Sequence, residues 1–391
     1  MSNHLERQQQ WLVFFEMFLA SLLANSLAPL VTSYQEQFQL SMAQASLFPV
    51  ISTLGGVIAN LLGTFFIAHI GLRRYNYIFL ILMILTFIIF YYVHSVLLLF
   101  TALFMFGFSI ATGMAVTSTL LSQLPLKYHN FGLYHAFFGL GGIITPGLIG
   151  LLLAKNIDYH NIYLLFLAVT VIAVIFLWKA RLVPDYKFEK TGFIESLSII
   201  KLRVVYLSLI ILILYAGCEM GIVLWSGNLF SQAFHFSKES SALFLSGFWI
   251  IFTLGRIFTH QIEKFCGFFK TQYVFISLLL LGLALLLGAR WPLAFFLIAL
   301  GMAPIFPLTQ KYAVSHIPKH QIGMFSGVLF GFLGLGNMFI PGAMGLLGNI
   351  NIYYAFLLPI FLLSIILIVV FKLKKTARNV TESLVGEKLK T

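Results

Sequence analysis

From one end of the chain to the other, apolar runs near the roughly 20 residues that a helix needs to cross hydrocarbon alternate with short polar connectors. Backbone N–H and C=O groups find no partner in lipid, so each run must close its hydrogen bonds internally as an α-helix. The first six predicted helices run Trp11 to Tyr34, Gln44 to His69, Tyr75 to Val93, Val96 to Gln123, Phe131 to Ala154 and Ile162 to Ala180. The second six run Val204 to Gln232, Ser240 to Gln261, Thr271 to Ala289, Pro292 to Ser315, Gln321 to Leu347 and Ile352 to Phe371. The expected fold class is therefore an all-α membrane protein of twelve transmembrane helices.

The pattern divides in the middle, at the long polar connection Arg181 to Arg203. This predicts an N-terminal six-helix bundle over 1–180, a cytoplasmic linker over 181–203, a C-terminal six-helix bundle over 204–371 and a cytoplasmic tail over 372–391. Within the linker, Phe193, Ile194, Leu197, Ile199 and Ile200 share one side of a short helix, which predicts a helix lying on the membrane surface; an unstructured linker is the competing reading. The first run sits behind a polar leader and passes small residues near Ala24 to Ala28, as a cleaved signal peptide does. It is longer than a signal-peptide core, carries Glu16, and is needed for the halves to match, so a spanning helix is expected.

Composition sharpens the picture. With 60% hydrophobic and 9% charged residues and a mean hydropathy of +0.98, a water-soluble domain is excluded. The net charge of +12 would suggest nucleic acid as a partner if the chain were soluble, but its distribution reports topology instead. Arg73, Arg74, Lys127, the linker, Lys264, Lys270, Lys319 and the tail fall on one side, against Lys155, Lys238 and Arg290 on the other. By the positive-inside rule both termini are cytoplasmic, in the cell (inner) membrane, with no nucleic-acid partner. Cys218 and Cys266 form no disulfide or zinc pattern. No GxxxxGK[ST], HExxH, CxxC or GxSxG segment occurs, so no enzyme activity, cofactor or metal site is expected.

Local motifs name a family. Ala68-His69-Ile70-Gly71-Leu72-Arg73-Arg74 resembles the loop after the second helix in the major facilitator superfamily, with Ala68 where an acid ordinarily stands. Gly139, Gly141, Gly142, Pro146 and Gly150 in the fifth helix correspond to Gly331, Gly334, Gly336, Pro341 and Gly345 in the eleventh, the trace that internal repeats leave. Tyr215-Ala216-Gly217-Cys218-Glu219-Met220-Gly221 with Trp225, and Gly301-Met302-Ala303-Pro304-Ile305-Phe306-Pro307, are similar to the seventh- and tenth-helix patterns of the fucose, glucose and galactose proton-symporter branch. The acids that such symporters carry in the first and fourth helices are matched only by Glu16, with none between Val96 and Gln123. The resemblance implies two pseudo-symmetric six-helix bundles, the major facilitator fold, around a site at the bilayer midplane.

Ionisable side chains at depth cost about 2.5 to 3.5 kcal/mol on insertion scales, so each needs a cavity, a partner or a proton. Glu219, in the middle of the seventh helix, is the expected proton-coupling and substrate-contacting acid, because burial favours the neutral form of a carboxylic acid. Glu16, His135 and Arg256 lie at similar depths, roughly 8 to 10 Å inside their helix ends, and are expected to form an inner gate. Asn25, Thr112, Trp225, Asn228, Phe306, Gln310 and Asn337 complete the expected substrate pocket as hydrogen-bonding and aromatic groups near mid-depth.

These readings predict a secondary active transporter moving a small polar organic solute by alternating access, as proton-coupled import of a sugar-like compound. The alternatives are a proton-antiport exporter of amphiphilic compounds and an importer of a metal chelate such as a siderophore. The expected partners are the solute, the proton and the lipid bilayer, with the chain acting as a monomer.

Overall fold

The computed structural model describes residues 2–128, 131–180, 201–317 and 322–388. Among them, twelve helices are long and apolar enough to cross a membrane. In order, the spans are His4–Phe38, Met42–Gly63, Leu72–Tyr91, Val96–Gln123, Leu133–Ala154, Tyr159–Phe176, Arg203–Phe234, Lys238–Ile257, Phe268–Leu287, Ala294–Val314, Gly331–Ile350 and Ile352–Ala377. No strand occurs among the described residues, as expected for chain that must satisfy its backbone within each segment.

Three spans depart from a single rod; the second span breaks only at Ser46, between Met42–Ala45 and Leu47–Ile70. The first is a helix Ser2–Ala24, a turn, a short 3-10 segment Ala28–Leu30 and a second helix Val31–Phe38. Pro29 sits in that break, where its missing N–H costs no intrahelical bond. The tenth span divides into Ala294–Met302 and Ile305–Val314 around Ala303-Pro304, within the sequence motif quoted above. Pro146, Pro341 and Pro359 lie inside unbroken helices. The eighth span ends at Ile257, earlier than expected, and a separate helix Thr259–Cys266 follows. The last helix continues past Phe371 to Lys388. Residues 181–200, and with them the expected surface helix, lie outside the described residues.

The turns reveal a repeated plan. Between the first and second spans Gln39 is left-handed at φ 52, and Ser41, at φ −66 and ψ 163, caps the next helix through Gln44 N–H. Between the seventh and eighth, His235 is left-handed at φ 57, and Ser237, at the same φ −66 and ψ 163, caps through Ser240 N–H. On the opposite side, Gly71 (φ 83, ψ 158) precedes the third span and Gly267 (φ 76, ψ 159) the ninth. Only glycine holds that backbone region without strain. The two halves are thus built on one pattern, six spans each.

We call the side on which the sixth span ends and the seventh begins the linker side, and the opposite one the far side. The halves meet along two seams. In one, the fifth span packs on the eighth: a Cβ at Gly142 would stand 2.7 Å from the Trp249 ring, and one at Gly139 2.7 Å from Thr253 Oγ1. Ser246 Oγ also donates to the Ile143 carbonyl at 2.6 Å. In the other, the second span packs on the eleventh, with Ser46 against Gly345 and Val50 against Gly342. Gly141 and Gly336 serve inside the halves instead, meeting Ser21 of the first span and Ile213 of the seventh. Small residues at all these places let backbones approach closely.

Contacts between the halves concentrate toward the far side. There Lys238 Nζ lies 2.5 Å from Glu36 Oε2, Asn228 Nδ2 donates to Gln35 Oε1 at 2.6 Å, and Ala43 N–H donates to Asn349 Oδ1 at 3.2 Å. At the linker-side end of the eleventh span, by contrast, a Cβ on Gly331 would meet nothing within 4 Å. Among the described residues, the polar contacts that join the halves at their ends lie on the far side.

Candidate functional site

Within the seventh helix, Arg203–Phe234, Glu219 stands roughly 22 to 24 Å from either end at 1.5 Å per residue. Four residues earlier on the same face, Tyr215 donates its hydroxyl to the Met302 carbonyl of the tenth span at 2.8 Å. Tyr215 also feels the charges of both Glu219 and Arg256. Arg256, in the last turn of the eighth span, brings Nη2 to 3.6 Å from Glu219 Oε2. Its guanidinium lies over the Phe252 ring at 4.1 Å, a cation–π contact that fixes the plane of the group.

This ion pair is loose. A separation of 3.6 Å exceeds charge-assisted hydrogen-bond length, and Arg256 Nε is buried without a partner. Glu219 keeps 21% and Arg256 30% of its side-chain surface accessible. His135, from the fifth span in the other half, lies close enough to feel the Arg256 charge. Glu219 and Arg256, both of the second half, thus keep part of their surface accessible where they approach His135 of the first half.

The structure redistributes the expected gate. Arg256 and His135 come together, but Glu16 does not join them. The first helix turns Glu16 into its own half, where it is fully buried and accepts from Asn76 Nδ2 of the third span at 2.8 Å. The partner of Arg256 is Glu219.

The expected pocket residues also separate. Asn337 points a buried, unpartnered Oδ1 from the eleventh span. Phe306 is half-buried, with its ring centroid 6.3 Å from that of Tyr215, and Gln310 is half-buried one turn further toward the linker side. Thr112 instead packs inside the first half, donating to the Phe108 carbonyl at 2.8 Å beside Tyr75. Trp225 is fully buried and ties the seventh span to the eleventh through Nε1 to the Pro341 carbonyl at 2.8 Å. Asn25 turns back on its own helix, donating to the Ser21 carbonyl at 2.9 Å at the break in the first span. Asn228 belongs to the far-side contacts and borders a vestibule of about 700 Å³ with Gln35, Glu36 and Asn349.

Sequence reasoning missed Tyr215, Phe252 and Asn76. For the first two a signal existed, since each sits four residues before a charged group and so shares its helix face. Asn76 had only its polarity within an apolar run.

Comparison with known proteins places this architecture. A protein of Yersinia enterocolitica serotype O:8 described as a TsgA homologue is 20% identical over 310 residues, covering 77% of this chain and 78% of its own length. The crystal structure of a D-xylose–proton symporter superposes with a TM-score of 0.78 at 11% identity, covering 93% of this chain and 96% of that one. The transporter FucP in its outward conformation superposes with a TM-score of 0.65 at 16% identity, covering 93% and 98%. Residues 13–331 match the sequence model of the Major Facilitator Superfamily. With twelve spans in two like halves and a match over residues 13–331, the chain is a multi-pass integral membrane protein and belongs to the major facilitator superfamily of transporters.

Proposed function

We propose that this chain is a secondary active transporter that imports a small polar organic solute together with protons, with sugar-like compounds first in line. The units are the bundles 1–180 and 204–371, joined by 181–203, which rock about the midplane site. The linker side is taken as cytoplasmic from the charge asymmetry, in the cell membrane, so the far-side contacts face outward.

The observation that carries this reading is the Glu219–Arg256 pair, at mid-depth, loosely bonded and accessible. Ionised, Glu219 neutralises the guanidinium. When it takes a proton, Arg256 loses its counter-charge and becomes free for the solute. Proton binding and solute binding are thereby linked through one contact, and linkage of two ligands is what coupling requires. Phe306, packed beside Tyr215, would supply an aromatic face, and Gln310 and Asn337 hydrogen-bond groups. The fold shared with a D-xylose–proton symporter agrees with a sugar-like cargo.

In proteoliposomes with an imposed proton gradient, the wild type accumulates the solute above its outside concentration. Glu219→Gln still exchanges labelled for unlabelled solute but accumulates none. A mutant that concentrates solute as the wild type does contradicts the proposal.

A further inference from the structure

We infer that the transported solute carries a carboxylate, which docks on the Nε and Nη2 edge of Arg256 in place of Glu219. This inference rests on the reading of that pair as the coupling centre. Three observations carry it.

The first is geometric. A guanidinium presents Nε–H and one Nη–H side by side, matched to the two oxygens of a carboxylate. On Arg256 that edge is poorly used: Nη2 sees Glu219 only at 3.6 Å, and Nε is buried with no partner. A buried donor without an acceptor is costly, and a solute carboxylate would satisfy both nitrogens at once.

The second is orientation. The Phe252 ring holds the guanidinium at 4.1 Å and covers one face, so a ligand must enter through the part of the side chain that stays accessible. A point-like ammonium in this place would lose the fork, so the residue type itself is informative.

The third is charge. Arg256, Glu219 and His135 are the ionisable groups that meet here from the eighth, seventh and fifth spans, together with the Tyr215 hydroxyl. Both pieces of the tenth span pack here, and their one charged side chain, Lys311 on Ile305–Val314, is already neutralised by Glu263 at 2.6 Å. Once Glu219 is protonated the site holds a single positive charge, which one carboxylate cancels. A phosphate, carrying close to two negative charges at neutral pH, would leave one uncompensated at mid-membrane. The cargo is then one proton on Glu219 and one carboxylate on Arg256, neutral in sum.

Two measurements test this. In the purified full-length protein, matched pairs of probes are compared by thermal shift: D-glucuronate against D-glucose, and lactate against 1,2-propanediol, with inorganic phosphate as a third arm. The acid of a pair should bind at least about tenfold tighter than its neutral partner, the loss expected for one charge-assisted contact. Glu219→Gln, which removes the internal competitor, should tighten that binding, and Arg256→Gln should abolish it while Arg256→Lys restores little. In proteoliposomes, acid uptake should follow the pH gradient and ignore a potassium-clamped membrane potential. Equal binding of acid and neutral probes, no binding of either acid, preference for phosphate, carboxylate binding that survives Arg256→Gln, or potential-driven uptake each overturns the inference. The two proposals fail separately. Neutral-sugar uptake coupled to protons through Glu219 sinks the carboxylate and spares the coupling, whereas undiminished proton-driven accumulation of the acid by Glu219→Gln does the reverse.

Discussion

At the scale of single residues, the buried polar groups are the informative ones, because each must find a partner or a use. Glu16 found Asn76: one carboxyl oxygen accepts at 2.8 Å, while Glu16 Oε2 and Asn76 Oδ1 stay without partners in the first half. Removing one member should therefore cost more than removing both. Asn76→Leu is expected to lower stability by about 1 to 3 kcal/mol, the cost of leaving a buried acceptor unsatisfied. Adding Glu16→Met should recover most of it, since an apolar pair needs no hydrogen bond. Thermal unfolding of the single and double variants checks this; a double variant less stable than the single would contradict it. The sequence could mark Glu16 as exceptional, being an acid in an apolar run, but could not say which way its helix turned. Depth is readable at a fixed rise per residue; azimuth depends on which neighbour the helix packs against. Glu219 and Arg256 were each singled out on depth, and the pair they form is what tertiary packing added.

At the scale of the helix, the glycines divide by what faces them. Gly142 lies against Trp249 in the seam between the fifth and eighth spans, where even a methyl group would stand 2.7 Å from the ring. Gly142→Val should destabilise by about 1 to 3 kcal/mol, the range for overpacking, and Trp249→Ala in the same chain should relieve much of that strain. Gly331, in contrast, has nothing within 4 Å. Gly331→Ala should be neutral or stabilising by up to about 1 kcal/mol, through helix propensity alone. Thermal unfolding of the set separates the two; equal losses at both positions would show that the seams are not as drawn. The number, order and approximate limits of the spans were legible, because lipid permits few alternatives to a helix. The breaks at Asn25 to Leu27 and at Ala303-Pro304 were not. Proline is compatible with an unbroken helix, as Pro146 and Pro341 show, so its presence alone does not locate a hinge.

At the scale of the whole molecule, few polar contacts among the described residues join the halves on the far side, so loosening them should shift the balance between states. Lys238 with Glu36, and Asn228 with Gln35, cross between the halves there. Glu36 keeps 66% of its side-chain surface exposed, so its ion pair contributes modestly, within about 1 kcal/mol. Replacing Glu36 and Gln35 together by Ala should raise the far-side-open population several-fold without unfolding the protein. Spin labels at His94 and Arg290, exposed in far-side loops of the two halves, would then report a longer distance; an unchanged distribution would mean that these contacts do not restrain the halves. The twofold plan was visible in the paired glycines and the central polar connection. Its clearest marks, the matching turns at Gln39 to Ser41 and His235 to Ser237, were hidden because different residue types adopt one backbone geometry.

Coupled import requires that a proton cross with the solute through Glu219. Proteoliposomes carrying a trapped pH-sensitive dye, given the solute identified by binding, should acidify inside as wild-type protein admits solute and proton together. With Glu219→Gln the same solute should enter without any acidification. Equal acidification by both proteins would show that the proton does not travel through Glu219.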